Sequence, residues 1–260
     1  MKKGKKKYII IIIILIIYLL LMYVFIGRDN LKDSKNKTTL IVGNNTVWSY
    51  SNKKWHNVKD SNEISTFDWE KFSVSVDGKK LGKKYLVFSD KWYLFDNNKK
   101  AVNYVGKLFA YKSNNNMNLL DFEINPITDF TYVNEVLSNL NISTLDFAVS
   151  NIVSVDFDND GVDEDFYIIS NSFITDPIPD KYFSIVFMVK DNNIYLLYNN
   201  TNIKDVYSGC IPYIDAFINV DKDSIHEVVI SCDKYSIQGS IDMLYKYNDN
   251  RFHILIYNNN

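Results

Sequence analysis

The run Asp156-Phe157-Asp158-Asn159-Asp160-Gly161-Val162-Asp163-Glu164 sets oxygen ligands at alternate positions around one tight turn. Carboxylates at positions one, three and five (Asp156, Asp158, Asp160) can converge on a hard cation. Gly161 permits the bend, Val162 offers its backbone carbonyl at position seven, and Glu164 at position nine closes the shell. This is the chemistry of a structural calcium (Ca2+) site. An EF-hand does not fit, because its twelfth position needs a bidentate Glu and this loop has Tyr167 there, inside the strand-forming run Asp165-Phe166-Tyr167-Ile168-Ile169. The same residues also read as an acidic turn held by its own Asx hydrogen bonds without metal.

The loop lies between an entering strand, Ile152-Val153-Ser154-Val155, and a leaving one, Phe166 to Ile169. A degraded copy follows at Asn219-Val220-Asp221-Lys222-Asp223-Ser224-Ile225-His226-Glu227, leading into Val228-Val229-Ile230. It has lost the glycine and one charge and carries Lys222 inside the loop, which argues against a cation there. Strand, loop with acids at one, three, five and nine, and strand resembles the FG-GAP or VCBS-type repeat of β-propeller proteins. The resemblance covers Val153 to Ser170 and, more weakly, the second copy. It implies blade-like units and a calcium loop but fixes no function.

The surrounding elements are read from periodicity. After each acidic loop comes a hairpin: Tyr182 to Val189 with Ile194 to Tyr198 around Lys190-Asp191-Asn192-Asn193, and Ile241 to Tyr247 with Phe252 to Tyr257 around Asn248-Asp249-Asn250-Arg251. Each unit thus reads as strand, acidic loop, strand, spacer, hairpin, the four-stranded content of a blade. Two units do not close a propeller, so residues 39 to 147 either supply divergent blades or the fold is another β-rich assembly. In that region strands are expected at Thr39 to Val42, Thr46 to Tyr50, Lys54 to Val58, Lys71 to Val76, Tyr85 to Phe88, Trp92 to Phe95 and Tyr104 to Tyr111, with turns at Asn44-Asn45, Ser51-Asn52, Asp77-Gly78 and Asn97-Asn98. One helix is expected over 128–142, where Phe130, Val133, Val136, Leu137 and Leu140 share a face and Thr128 or Asp129 can cap. The expected class is mainly β, with one short helix in the folded part.

Ahead of the β region, Lys2, Lys3, Lys5, Lys6 and Lys7 precede an uncharged apolar run from Tyr8 to Ile26. As a helix that run is about 28 Å long, enough to span a bilayer. It reads as an uncleaved signal anchor: residues 1–7 form a cytoplasmic tail, 8–26 cross the membrane, and 27–38 form a stalk. A cleaved signal peptide with an atypical site is the alternative. The β regions, 39–147 and 148–260, are then extracytoplasmic. Of the 29 Lys and Arg, five lie in the tail, so the exterior part is acidic against its 31 Asp and Glu. Nucleic acid is not an expected partner; a protein or glycan outside the cell is.

Cys210 and Cys232 are the two cysteines. Outside the cytoplasm they can pair across the degraded loop, or remain buried thiols. The search for catalysis finds nothing specific: His56, His226 and His253 have no metal or triad spacing, and no phosphate loop occurs. Trp48, Trp55, Trp69 and Trp92 suit core packing better than a sugar platform. The chain therefore reads as an anchored exterior binding or interaction protein rather than an enzyme. An envelope hydrolase or an accessory subunit of a membrane complex are the other readings.

Overall fold

Short runs of β-branched and aromatic residues, broken by Asn, Asp and Gly, pair into three antiparallel sheets. The computed structural model describes residues 37–51, 53–114, 117–143, 146–176, 178–234 and 239–259. The anchor at 8–26, its tail and most of the stalk lie outside them. Among the described residues no helix is long and apolar enough to cross a membrane.

The first sheet contains β1 (Thr38–Val42), β2 (Thr46–Ser51), β3 (Lys54–Asn57), β4 (Glu70–Val76), β5 (Lys79–Phe88), β6 (Trp92–Phe95), β7 (Ala101–Val102) and β8 (Leu108–Ser113), in the order β3-β2-β1-β8-β4-β5-β6-β7. Helix α1 (Ser61–Ser65) follows β3. Strand β9 (Asn118–Leu119) crosses to the third sheet. The second sheet runs β10 (Asn125–Pro126), β11 (Val149–Val155), β12 (Glu164–Ser170), β13 (Tyr182–Lys190) and β14 (Asn193–Ile203), with α2 (Thr131–Asn139) between β10 and β11. The third runs β18 (Arg251–Asn259), β17 (Ser240–Asn248), β16 (Glu227–Lys234), β15 (Cys210–Asn219) and β9. Each C-terminal unit is thus a four-stranded antiparallel meander with one added edge strand drawn from the segment before residue 127. Among the described residues no sheet closes into a barrel.

The layers stack α2, second sheet, third sheet, first sheet. Val133, Val136 and Leu137 of α2 pack on Tyr167, Ile169, Phe183, Ile185 and Phe187. The opposite face of the second sheet (Val153, Phe166, Ile168, Val186, Met188) meets Phe217, Val228, Ile230, Met243 and Tyr245 of the third. The far face of the third (Ala216, Ile218, Val229, Leu244) meets Leu40, Val42, Trp48 and Phe109 of the first. The second and third sheets are therefore covered on both faces, which is why β13 is a continuous apolar run rather than an alternating one.

Several expectations needed adjustment. A second helix, α1, was not anticipated: it buries only Ile64, and five residues are too few to show helical periodicity. Helix α2 is shorter than 128–142, and Asp129, one residue before the cap, accepts from the Thr131 amide at 2.9 Å and its hydroxyl at 2.7 Å. The strand that enters the second loop, for which the sequence reading sets no bounds, is β15, whose Pro212 and Asp215 obscure its pattern. At the Asp77-Gly78 turn, a side chain at Gly78 would meet the Phe122 ring at 2.6 Å, so the position needs glycine for space as well as for its φ of 78°.

Candidate functional site

The register of the sheets sets a lysine opposite the last acid of each loop. Asp165 pairs with Val189, so Glu164 faces Lys190; Val228 pairs with Tyr245, so Glu227 faces Lys246. In the first loop the Lys190 ammonium donates to Asp158 (2.7 Å), Asp160 (2.9 Å) and Glu164 (2.6 Å). In the second the Lys246 ammonium donates to Asp221 and Asp223 and lies 3.8 Å from Glu227. The same three positions, three, five and nine, thus converge on one ammonium in both copies.

The backbone repeats the match. Glu164 accepts from the Phe157 amide and Glu227 from the Val220 amide, each at the second loop position. Asp160 holds Val162 N–H and Asp223 holds Ile225 N–H, both at 2.9 Å. Asn159 and Lys222, both at position four, have positive φ. At position one Asp156 accepts from the amides of Asp160 and Gly161, whereas Asn219 accepts from the Lys222 amide and donates to the Asp223 carbonyl. The two loops also clasp each other: His226 Nδ1 and the His226 amide both donate to the Phe157 carbonyl at 2.8 Å, and Asn159 Nδ2 donates to the Ser224 carbonyl. Burial holds His226 below the usual imidazole range, in keeping with a neutral ring that donates through Nδ1.

Of the residues expected to hold a cation, Asp156, Asp158 and Glu164 come together, with one oxygen from each within 4.8 Å of the others. Asp160 reaches the group through Lys190, and Val162 is 64% exposed. One observation favours a further positive charge: Asp158 Oδ1 is buried without a hydrogen-bond partner. The first loop also sets four of its five carboxylates, at 156, 158, 160 and 164, at ligand positions against one ammonium. The all-oxygen donor set fits a hard cation. The second loop has three carboxylates against Lys246 and Lys222, and no comparable cluster occurs there among the described residues.

Burial works against the charge of Lys190, but its bonds to Asp158, Glu164 and Asp160 outweigh this and raise its pKa. Burial also raises Glu164, with Lys190 opposing, while the Lys190 hydrogen bond holds Asp160 low. In the second loop burial pushes Glu227 up to about 7, against the Val220 amide.

At the second loop a cavity of about 760 Å³ opens between the β2–β3 hairpin, the loop itself and β16, β17 and β18. Its lining includes Tyr50, Trp55, Lys53, Lys54, Lys222 and Glu227. The Tyr50 and Trp55 rings lie 5.1 Å apart, tilted by 51°. Of the other tryptophans, Trp48 and Trp92 are fully buried, and Trp69 packs on Phe95 beneath Lys99. Cys210 and Cys232 form a disulfide between β15 and β16, Cα atoms 5.4 Å apart. Sequence reasoning missed Lys190 and Lys246, since nothing local marks a lysine 26 or 19 residues after its glutamate; only the register joins them.

Comparison with family models, curated proteins and solved structures finds no match to this chain.

Proposed function

We propose that this chain is a membrane-anchored, extracytoplasmic binding protein, its two C-terminal meanders serving as FG-GAP/VCBS-like units and its groove at Tyr50 and Trp55 taking an anionic glycan. The observation that carries this is the groove's lining: two adjacent aromatic rings beside Lys53, Lys54, Lys222 and Lys246, with Asp221 and Glu227 already facing Lys246. Aromatic faces suit the apolar side of sugar rings, and the excess of ammonium groups favours carboxylated or phosphorylated glycan over neutral glycan. The first loop is a structural cation site in which calcium and the Lys190 ammonium compete for the same carboxylates, so occupancy rigidifies the β11–β12 connection rather than doing chemistry.

The test is titration of the full chain, in a neutral detergent, with a polyuronate and with a neutral glucan, followed by tryptophan fluorescence. The polyuronate alone should bind, and Trp55→Ala should weaken it by about tenfold or more. Equal binding of both polymers, or no effect of the substitution, rejects the glycan reading.

The hydrolase reading has one point in its favour, a buried Glu227 in the groove with its pKa raised to about 7. Yet Glu227 accepts from Val220 and faces Lys246, as Glu164 accepts from Phe157 and faces Lys190, so it closes its loop rather than stands ready for substrate.

A further inference from the structure

Charge is not spread evenly along this chain. Residues 37–113, which build the first sheet, hold 14 lysines against seven Asp and Glu, whereas residues 114–260, which build the other two sheets, hold seven Lys and Arg against 22 Asp and Glu. The described protein is therefore basic at its N-terminal sheet and acidic beyond it.

The basic sheet also carries an aromatic face. Along β4, β5 and β6 the residues Phe72, Val74, Leu86 and Leu94 point into the sheet's own core, and the alternate positions point the other way. There Tyr85 stands between its cross-strand partners Lys71 and Phe95, and Val87 stands beside its partner Tyr93. The third sheet meets the first at Leu40, Val42, Trp48 and Phe109, on β1, β2 and β8, while Trp69 and Tyr93 remain 47% and 40% exposed. The Trp69 ring lies 4.9 Å from that of Phe95, and its φ of 60° is a costly conformation for a bulky residue, held here with the ring turned outward.

Three of these rings each have their own ammonium. Lys71 lies over Tyr85 at 5.4 Å, Lys91 over Tyr93 at 5.5 Å and Lys99 over Trp69 at 5.3 Å, and none of the three lysines is in an ion pair among the described residues. Of the nearby acids, Glu70 is paired with Lys112, and Asp90, at the rim beside Lys91, accepts from the Tyr93 hydroxyl at 2.9 Å. Amphipathic rings among long-stemmed lysines suit the headgroup layer of a bilayer, where the rings sit at the interface and the ammonium groups meet phosphate.

The path of the chain points to the same surface. Thr38, the first residue of β1, pairs with Ser113, and the neighbouring Lys112 bonds Glu70 at the start of β4, so β1 begins at the end of the sheet that carries Trp69. Lys37 lies over the Phe67 ring, two residues before Trp69. Only ten residues separate Ile26, the last of the apolar run, from Lys37, and ten residues reach at most about 35 Å.

We propose that this face of the first sheet lies against the bilayer in which the chain is anchored and binds anionic phospholipid headgroups. The choice of lipid rests on the anchored reading given above. The acidic meanders are then turned away from the membrane, and the Tyr50–Trp55 groove lies towards the opposite edge of the same sheet.

The test uses the full chain reconstituted into vesicles of phosphatidylcholine alone, or of phosphatidylcholine with one-third phosphatidylglycerol, each carrying lipid brominated near the headgroup end of its acyl chains. Tryptophan quenching is read for wild type and for Trp69→Phe, and the difference isolates Trp69 from Trp48, Trp55 and Trp92. Trp69 should be quenched at least about twofold more with phosphatidylglycerol than without, and added salt should reduce the difference. The variant Lys71→Gln, Lys91→Gln, Lys99→Gln changes exposed positions only, so it should melt with wild type in detergent yet lose most of the quenching. Equal quenching in the two lipids, none in either, or a triple variant quenched like wild type would overturn the proposal. So would a Trp69 signal that responds to soluble polyuronate and not to phosphatidylglycerol, which would make this a glycan surface. Flotation separates the two readings. A chain that floats with phosphatidylcholine vesicles but keeps Trp69 unquenched fails the face alone, one that floats only with phosphatidylglycerol vesicles fails the anchor alone, and one that floats with neither fails both.

Discussion

A lysine stands where a loop of alternating acids would otherwise require a metal, twice and in the same register. If the ammonium is what holds each loop together, removing it leaves three carboxylates facing one another. Lys246→Met should therefore destabilise the protein by about 2 kcal/mol, read from urea unfolding, and calcium should not restore it, because Asn219 and Lys222 leave the second loop short of charge. The buried acids make a separate prediction. Burial raises Asp215 to about 8, Glu227 to about 7 and Asp242 to about 6, all above their values in an unfolded chain near 4. Between those limits the folded state binds more protons than the unfolded one, so stability is greatest at the acid end and falls as pH rises through about 5 to 8. Asp215→Asn should flatten that fall, melting close to wild type at pH 5 and being more stable by about 2 kcal/mol at pH 8, as paired melts would show. At this scale the sequence was legible where chemistry is local: the acids, the Asx-type amide contacts and the two turn motifs. It was silent on Lys190, Lys246 and Asp215, whose meaning comes from strand register and a bulge.

Elements were read well wherever a two-residue turn separates apolar runs. Asp191-Asn192 and Asp249-Asn250 both adopt positive φ at both positions, the geometry that matches strand twist, and the hairpins β13–β14 and β17–β18 close on Lys190↔Asn193 and Asn248↔Arg251 as their turns require. Strand β15 was hidden because Pro212 and Asp215 interrupt its pattern, and the two-residue strands β7, β9 and β10 carry no periodicity at all. The disulfide acts at this scale. It ties β15 to β16 across a sequence separation of 22, bracketing the second acidic loop. Reduction should lower stability by about 3 kcal/mol through the freedom returned to the unfolded chain, measured by melting with and without a reductant, and the Cys210→Ser, Cys232→Ser protein should show no such sensitivity.

At the largest scale the described residues form a stack in which two matching meanders face each other through one apolar core, and the first sheet covers the outer face of the third. Composition and spacing pointed to mainly β structure and to an internal repeat; they could not say that the N-terminal strands form one eight-stranded sheet instead of further blades, because pairing order such as β1-β8-β4 depends on contacts distant in sequence. The loops lie at the seam of the two meanders, clasped through His226, Phe157, Asn159 and Ser224, so the charge state of the first loop bears on how both units sit. The most direct test is the thermal melting of the full chain and of Lys190→Met, each in EDTA and in about 2 mM calcium. The variant should melt several degrees below wild type in EDTA and recover most of that loss with calcium, while wild type gains less because its ammonium already competes for the carboxylates. A variant that melts with wild type in EDTA, with calcium moving neither protein, would contradict the claim that this loop is held together by a positive charge.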